Sequence, residues 1–280
     1  MNSISVTPHT ALKPFIQTYI FLSVGPSGAP MVLDLCPLGH CVLSFVLDGK
    51  HFIHNASLGK DYNIRFNFTG QLSKYHQLHT TAASMVYVVF KPYGVYRLLG
   101  IPQHLLADDC TAMSDILNSS INDLCIQMED KAEQPHAVIT LLEEWLLKQW
   151  KKNDKLNIDR IAFACNEVSR YAGTMTIKKI CGITNMSKSS LENYFKEQVG
   201  LTPKMYSRVI RFNEIHKLIS NAPDQDWQEI VYKYGYFDQA HFIREFKHFF
   251  GYSPSRIHLG NQNISSHVAE YLLDPEIPSF

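Results

Sequence analysis

Residues 187–206 read SKSSLENYFKEQVGLTPKMY, and residues 238–257 read DQAHFIREFKHFFGYSPSRI. The two stretches align without a gap at an offset of 51: Phe195 meets Phe246, Lys196 meets Lys247, Gly200 meets Gly251 and Pro203 meets Pro254. Leu191 faces Phe242, and Thr202 faces Ser253. Just upstream the offset is 50, pairing Thr176 with Asp226, Ile180 with Ile230 and Cys181 with Val231. The second copy therefore holds one more residue between Val231 and Asp238. An internal repeat of this size marks one supersecondary unit used twice.

Each repeated position has a physical reason. Thr176, Asp226, Ser187 and Asp238 are N-cap residues, whose side-chain oxygens accept bonds from the first unpaired backbone N–H groups of a helix. Glu229 stands three residues after Asp226, close to a capping box. Leu191 with Phe195, and Phe242 with Phe246, are i,i+4 pairs that pin one helix face to a core. The turns GITNM and YKYGYF connect a short helix to a second one, and Gly235 suits a left-handed position. Gly200 and Gly251 terminate the second helices, and Pro203 and Pro254 suit the start of the next. Short helix, tight turn and capped second helix form the helix-turn-helix plan. The plainer alternative is a duplicated helical hairpin with no DNA role.

Working outward, the connecting stretch reads as a helix at about 203–220, and everything from about 156 to 258 reads as helical. From Lys155 to Gly260 there are 15 Lys and Arg against 10 Asp and Glu, while the remainder holds 11 against 16. The net charge of zero thus hides a basic C-terminal segment on an acidic body, the distribution expected of a DNA-binding part carried by another domain. The polar stretch QWKKNDK at 149–155 marks the junction. The expected organisation is a sensor or dimerisation domain at 1–150, a linker at 151–156, a DNA-binding domain at 157–258 and a tail at 259–280, in which HVAEYLL suits a helical turn or two.

The front part reads differently. FIQTYIFL, CVLSFVL, HFIHNA, NIRFNFTG and SMVYVVF are short, rich in β-branched and aromatic residues, and separated by Gly, Pro, Asn and Asp, which predicts strands of a small barrel or sandwich. Tyr93–Leu99 predicts a short helix ending at Gly100, and 114–129 and 134–150 predict two more. In the last, Val138, Leu141, Leu142, Trp145 and Leu146 form one apolar face, suited to packing on the barrel or to pairing with a second copy. The fold class is therefore α+β in front, followed by an all-α double helix-turn-helix domain.

With 280 residues, 45% apolar and 19% charged, the chain suits two globular domains rather than a disordered one. No secretory signal and no apolar run of membrane-spanning length is seen, so a cytoplasmic protein without membrane contact is expected. The six cysteines lack metal-site spacing, and free thiols are expected. Among the histidines, His76 and His79 (HQLH), with His40, His51 and His54, lack the H-x-H pattern with a following Glu, so no metal and no cofactor are read. Nothing along the chain suggests catalysis.

IVYKYGYFDQAHFIREFKHFFGYSPSRI, with SKSSLENYFKEQVGLTPKMYSRVIRFNEI before it, resembles the AraC/XylS family of transcription regulators over roughly residues 160–257. The departures are Val231 and Cys181 where the family usually has Ala, and Tyr236 where it usually has Phe. The resemblance implies a seven-helix domain whose two second helices enter successive major grooves of double-stranded DNA. It also implies a cupin-like front domain that senses a small-molecule effector or forms a homodimer, and a regulator that acts as an activator, in contact with RNA polymerase. The rivals are a DNA-binding domain fused to an enzymatic or DNA-repair front domain, marked by clustered zinc-binding cysteines, and an architectural module without sequence preference.

On a helix capped at Ser187 with Leu191 and Phe195 inward, Lys188, Ser189, Glu192, Asn193 and Lys196 face outward. In the family's pattern Ser189, Glu192 and Asn193 face bases; Asn193 suits adenine and Glu192 suits cytosine N4, while the alternative for Glu192 is a solvated charge. On the second helix the same faces hold Gln239, Ala240, Ile243, Arg244 and Lys247. Arg244 suits guanine O6/N7, Gln239 suits adenine, and Ala240 or Ile243 suits a thymine methyl; the alternative for Arg244 is phosphate. Lys196, Lys247 and Arg211 are read as phosphate partners. His241 is read as a packing residue. Arg65, Lys91 and Arg97 would suit an anionic effector.

Overall fold

The computed structural model describes residues 2–23, 31–47, 53–62, 66–80, 84–117, 120–221 and 227–259. The front part begins with strands β1 (Asn2–Val6), β2 (Ile16–Ser23), β3 (Met31–Leu35), β4 (Cys41–Val46) and β5 (Ile53–Asn55). They continue with β6 (Lys60–Tyr62), β7 (Phe66–Thr69), β8 (His76–Thr80), β9 (Ser84–Phe90) and β10 (Cys110–Ala112). They form two antiparallel sheets, one ordered β1-β2-β9-β4-β7-β10 and one ordered β3-β8-β5-β6. This is an open two-sheet sandwich rather than a closed barrel.

Side-chain alternation along the central strands explains the layering. Tyr19, Phe21, Val86, Val88 and Phe90 join the main core, whereas Ile20, Leu22, Met85, Tyr87 and Val89 join a second cluster with Leu78 of β8. A strand alternates faces at every residue, so one face of the large sheet meets the small sheet and the other meets helices. Both faces being covered makes β2 and β9 nearly continuous apolar runs, which is why they were legible. The structure adds β1, β3, β6, β8 and β10, which are too short or too polar to carry a strand signal in their own residues. In β8, buried His76 and Leu78 alternate with half-buried Gln77 and His79. Arg65, His51 and the stretch 260–280 lie outside the described residues.

Three helices follow: α1 (Gly94–Leu99), α2 (Ser120–Glu129) and α3 (Pro135–Lys152). α1 ends at Gly100 with φ 71, as its sequence predicts. Val138, Leu142, Trp145 and Leu146 of α3 are buried, with Leu141 half-buried. α3 packs on α1 and α2. Its apolar face is therefore spent inside the chain and is not free for a second copy. The polar junction is tied down as well. Asn153 donates from Nδ2 to the carbonyls of Leu98 (3.0 Å) and Gln149 (3.1 Å), and Arg97 donates from Nη1 to the Asn153 carbonyl (2.6 Å).

The C-terminal part is helical: α4 (Asp159–Arg170), α5 (Ile177–Thr184), α6 (Lys188–Gln198), α7 (Pro203–Asn221), α8 (Trp227–Lys233), α9 (Gln239–Phe250) and a 3-10 segment, Pro254–Leu259. α4, α5 and α6 form one unit around Ile180, Leu191 and Phe195, all fully buried. α8, α9 and the 3-10 segment form the other. There Phe212 of α7 is ringed by Tyr236, Phe242, Phe246 and Phe249 with centroids 4.6–6.4 Å away. One hydrophobic core runs without interruption from Leu12 in front to Phe250 at the end of α9.

Candidate nucleic-acid interface

Local chemistry sets the start of both second helices. The Ser187 hydroxyl accepts from the Ser190 N–H (3.1 Å), and the Asp238 carboxylate accepts from the His241 N–H (2.6 Å). Thr176 caps α5 in the same way, accepting from the Lys179 N–H (3.3 Å). Each such cap is worth about 1 kcal/mol. Asp226, expected to cap α8, lies outside the described residues.

The turns are equivalent but use different residues. Asn185 closes α5 at φ 52 and Gly235 closes α8 at φ 72. Asn is one of the few side-chain-bearing residues tolerated there. After each, the next N–H returns to the helix: Met186 to the Cys181 carbonyl (3.1 Å), Tyr236 to the Val231 carbonyl (2.9 Å). The offset of 50 thus persists through Met186 and Tyr236. The extra residue of the second copy is Phe237, directly before the cap of α9, and its side chain is 93% exposed.

Beyond the caps, Leu191 and Phe195 of α6 and Phe242 and Phe246 of α9 are fully buried. The opposite faces carry the expected residues. Lys188, Ser189, Asn193 and Lys196 are exposed on α6, with Glu192 half-buried; Gln239, Ala240, Arg244 and Lys247 are exposed on α9. Ile243 is half-buried and packs on the core edge, so only part of its side chain is presented. His241 is half-buried, its ring edge-on to Tyr236 at 5.6 Å.

Arg211 is not brought to either exposed face. It is half-buried, and its Nη2 donates to the Gly173 carbonyl (3.2 Å), tying the α4–α5 connection to α7. A second arginine on α7, not singled out by its sequence, has a comparable structural role. Arg208 pairs with Glu245 of α9 through Nη2, and its guanidinium lies 5.3 Å from the Phe249 ring. Burial, together with the Glu245 carboxylate, pushes the Tyr236 hydroxyl up from its ordinary range. The contact joins residues 37 apart in sequence, so no local pattern announces it.

In front, a cleft of about 500 Å³ opens where Pro14, Phe15, Tyr93 and Arg97 meet residues 154–159 and Ala162. The Arg97 guanidinium lies 5.8 Å from the Phe15 ring and 5.5 Å from the Trp150 ring. All six cysteines are free thiols, and Cys41 is fully buried, with its Sγ 3.5 Å from Gln103 Oε1. Among the described residues no three His, Cys, Asp or Glu side chains are grouped to hold a metal, and no helix is long and apolar enough to cross a membrane.

Two short helix pairs, each presenting a capped, polar-faced second helix and joined by one long helix, define a double helix-turn-helix protein. Comparison with known proteins agrees. Residues 180–258 match the family model described as a helix-turn-helix domain, and residues 4–112 match a domain of unknown function, DUF6597. The chain is 30% identical over 95 residues to the Msm operon regulatory protein of Streptococcus mutans, covering 34% of each chain. It is 23% identical over 152 residues to the HTH-type transcriptional activator RhaS of Enterobacter sp., covering 50% of this chain and 54% of that one. The matches thus span about a third to a half of these relatives. A solved structure of ToxT from Vibrio cholerae aligns over 91% of this chain and 97% of its own, at 13% identity and a TM-score of 0.45. Residues 180–258 of this chain are a helix-turn-helix domain, and the two units within it resemble those of the AraC/XylS family.

Proposed function

We propose that this chain is a sequence-specific DNA-binding transcription regulator whose α6 and α9 enter successive major grooves on one face of double-stranded DNA, about 34 Å apart. The observation that carries this reading is the repeated exposed face. At equivalent positions of two capped helices, polar and basic side chains stand outward while the inward side chains are fully buried. Ser189, Glu192 and Asn193 on α6, and Gln239, Ala240, Ile243 and Arg244 on α9, read base edges in this proposal. Lys188, Lys196 and Lys247 contact phosphate and position the helices. Arg211, bonded to Gly173, acts as a positioning residue instead.

The division into 1–150, 151–156, 157–258 and 259–280 belongs to the same proposal, as does control by a small molecule. The cleft at Phe15, Tyr93 and Arg97 is the described cavity best suited to that role, because it lies against the junction between the two parts. Activation through RNA polymerase and pairing of two copies rest on the family resemblance.

The test is selection from a library of randomised duplexes, followed by a salt titration. The expected result is one enriched sequence with two half-sites about one helical turn apart, and an affinity that falls steeply with salt as phosphate contacts release counterions. Binding without sequence preference would favour an architectural module; no binding would overturn the reading.

A further inference from the structure

Both helix-turn-helix units meet the front part through the same position of the repeat. In the first unit, Glu197 at the end of α6 accepts from the Tyr96 hydroxyl of α1 (3.1 Å). Gly200 lies against Gln103, so that a Cβ at 200 would stand 3.0 Å from the Gln103 carbonyl oxygen. In the second unit, the residues 51 positions on are His248 and Gly251. His248 Nε2 donates to the Ser73 carbonyl (3.1 Å), and the Tyr75 N–H donates back to the His248 carbonyl (3.0 Å). Gly251 lies against the Tyr75 ring, where a Cβ would stand 2.8 Å from two ring carbons. Both glycines have positive φ, 94 and 77. Each is thus required twice over, for its backbone and for the close approach.

The front side of these contacts is held firmly. The Asp108 carboxylate accepts from the Ser73 N–H and hydroxyl, both at 2.6 Å. Burial alone would raise the Asp108 carboxyl, but the Ser73 bonds and nearby His76 outweigh it and hold it below the usual carboxylate range. The Asp108 N–H in turn bonds the Gln71 carbonyl (2.9 Å). Between the two contacts, α7 packs on the loop before β4, with Ile210 and Tyr206 against Gly39. The contacts sit at the C-terminal ends of α6 and α9. The faces proposed to read bases begin at the N-terminal ends and stay exposed with the front part in place.

We propose that the front part is a splint, which sets the relative placement of the two units by gripping the equivalent end of each second helix. The inference rests on both helices entering DNA, as proposed above. Apart from the splint, α7 packs on both units among the described residues, meeting α4 and α6 on one side and α9 on the other. A pair held in one arrangement loses less freedom on binding two grooves at once than a pair that must first be ordered. The grip therefore favours the two-groove site over either half, and any event in the front part that loosens it weakens two-groove binding without touching a base-reading residue.

The test uses the full chain carrying Tyr75→Ala with His248→Ala, which removes both side-chain contacts of the second-unit grip and leaves one backbone bond. Its affinity is measured for the duplex selected by the unaltered chain and for duplexes holding either half-site. The expected result is a loss of about tenfold or more on the full site, with each half-site bound within about twofold. Equal losses on full and half sites would mean that these residues merely support α9, and no loss on either would mean that the contact sets nothing; both overturn the splint. A second measurement needs no DNA. Spin labels at Ile183→Cys and Tyr232→Cys, both exposed, are placed in a chain with Cys36 and Cys181 changed to Ser. The splint predicts one narrow distance distribution that broadens in the Tyr75/His248 variant, and an unchanged distribution overturns it. If the unaltered chain selects no sequence, the DNA reading fails and the label distances alone decide the splint.

Discussion

In the first unit Asn185 takes the left-handed turn position and the cap Ser187 follows two residues later; in the second, Gly235 takes the turn and Phe237 is inserted before the cap Asp238. The packing also differs. Among the described residues Phe195 meets one aromatic ring, that of Tyr206 at 6.0 Å, whereas Phe246 meets Phe212, Phe242, Phe250, Tyr252 and His216 within 6.4 Å. Charge differs in the same pairwise way. Residues 176–200 hold four Lys against two Glu, and residues 226–251 hold three Lys and Arg against four Asp and Glu. One backbone plan thus carries two surfaces: a basic first unit suited to gripping phosphate, and an aromatic second unit with a single exposed arginine on its reading face.

The largest expected difference is in stability. Phe246→Ala should cost about 3–5 kcal/mol, the range for emptying a buried aromatic site, and should exceed Phe195→Ala because more ring contacts are lost. Chemical denaturation of both variants measures this; equal costs would mean that the aromatic cluster adds nothing to burial. Gly251→Val should also destabilise the second unit, since it places a β-branched residue at φ 77 against the Tyr75 ring. An unchanged melting temperature would contradict that.

Acid should act on the second unit first. His216 on α7 packs at a tilt against Phe250 at 4.6 Å and meets the Tyr252 hydroxyl at 3.1 Å, and burial lowers its pKa to about 4. An unfolded histidine has a pKa near ~6.5, so the unfolded chain takes up the proton first. The stabilisation from keeping His216 neutral is full above pH ~6.5 and is lost as pH falls toward 4. The loss should reach roughly 2–4 kcal/mol. Melting temperature against pH should fall across that window, and His216→Leu should flatten the fall. A curve of the same slope in the variant would assign the acid sensitivity elsewhere.

Smaller effects concern the DNA. Arg244→Ala should relax the preference at one base position of the second half-site by about 1–3 kcal/mol. Lys247→Ala and Lys196→Ala should weaken all sequences alike and lower the salt slope by about one unit each. A randomised-site library read at several salt concentrations separates the two behaviours. A uniform loss from Arg244→Ala would assign that residue to phosphate instead. The smallest effect on folding belongs to Phe237→Ser. A side chain this exposed should change stability by no more than about 0.5 kcal/mol, and any change in base preference should be confined to the second half-site. A marked drop in melting temperature would show that Phe237 packs on something.

Much of the C-terminal part was legible because its determinants are local. A cap acts within three residues, a left-handed glycine within one, and an i,i+4 pair within one turn. Ser187, Asp238, Gly200, Gly251 and the inward phenylalanines therefore declare two helix-turn-helix units directly. The same holds for β2 and β9, whose apolar runs are long enough to stand out. The short polar strands β6 and β8 were not legible, since their pairing partners rather than their own residues make them strands.

By itself, then, the sequence determined the number of helix-turn-helix units, their ends, the faces they expose and the position of the inserted residue to within one turn. Tertiary structure decided the rest. It split the strands into two sheets, turned the apolar face of α3 inward, bonded Arg211 to Gly173 and paired Arg208 with Glu245. It also set the repeat positions 197 and 248 against the front part. Each of these joins groups far apart in the chain, where the free energy depends on which surfaces meet after collapse and on which buried polar groups find partners. No local periodicity encodes that choice.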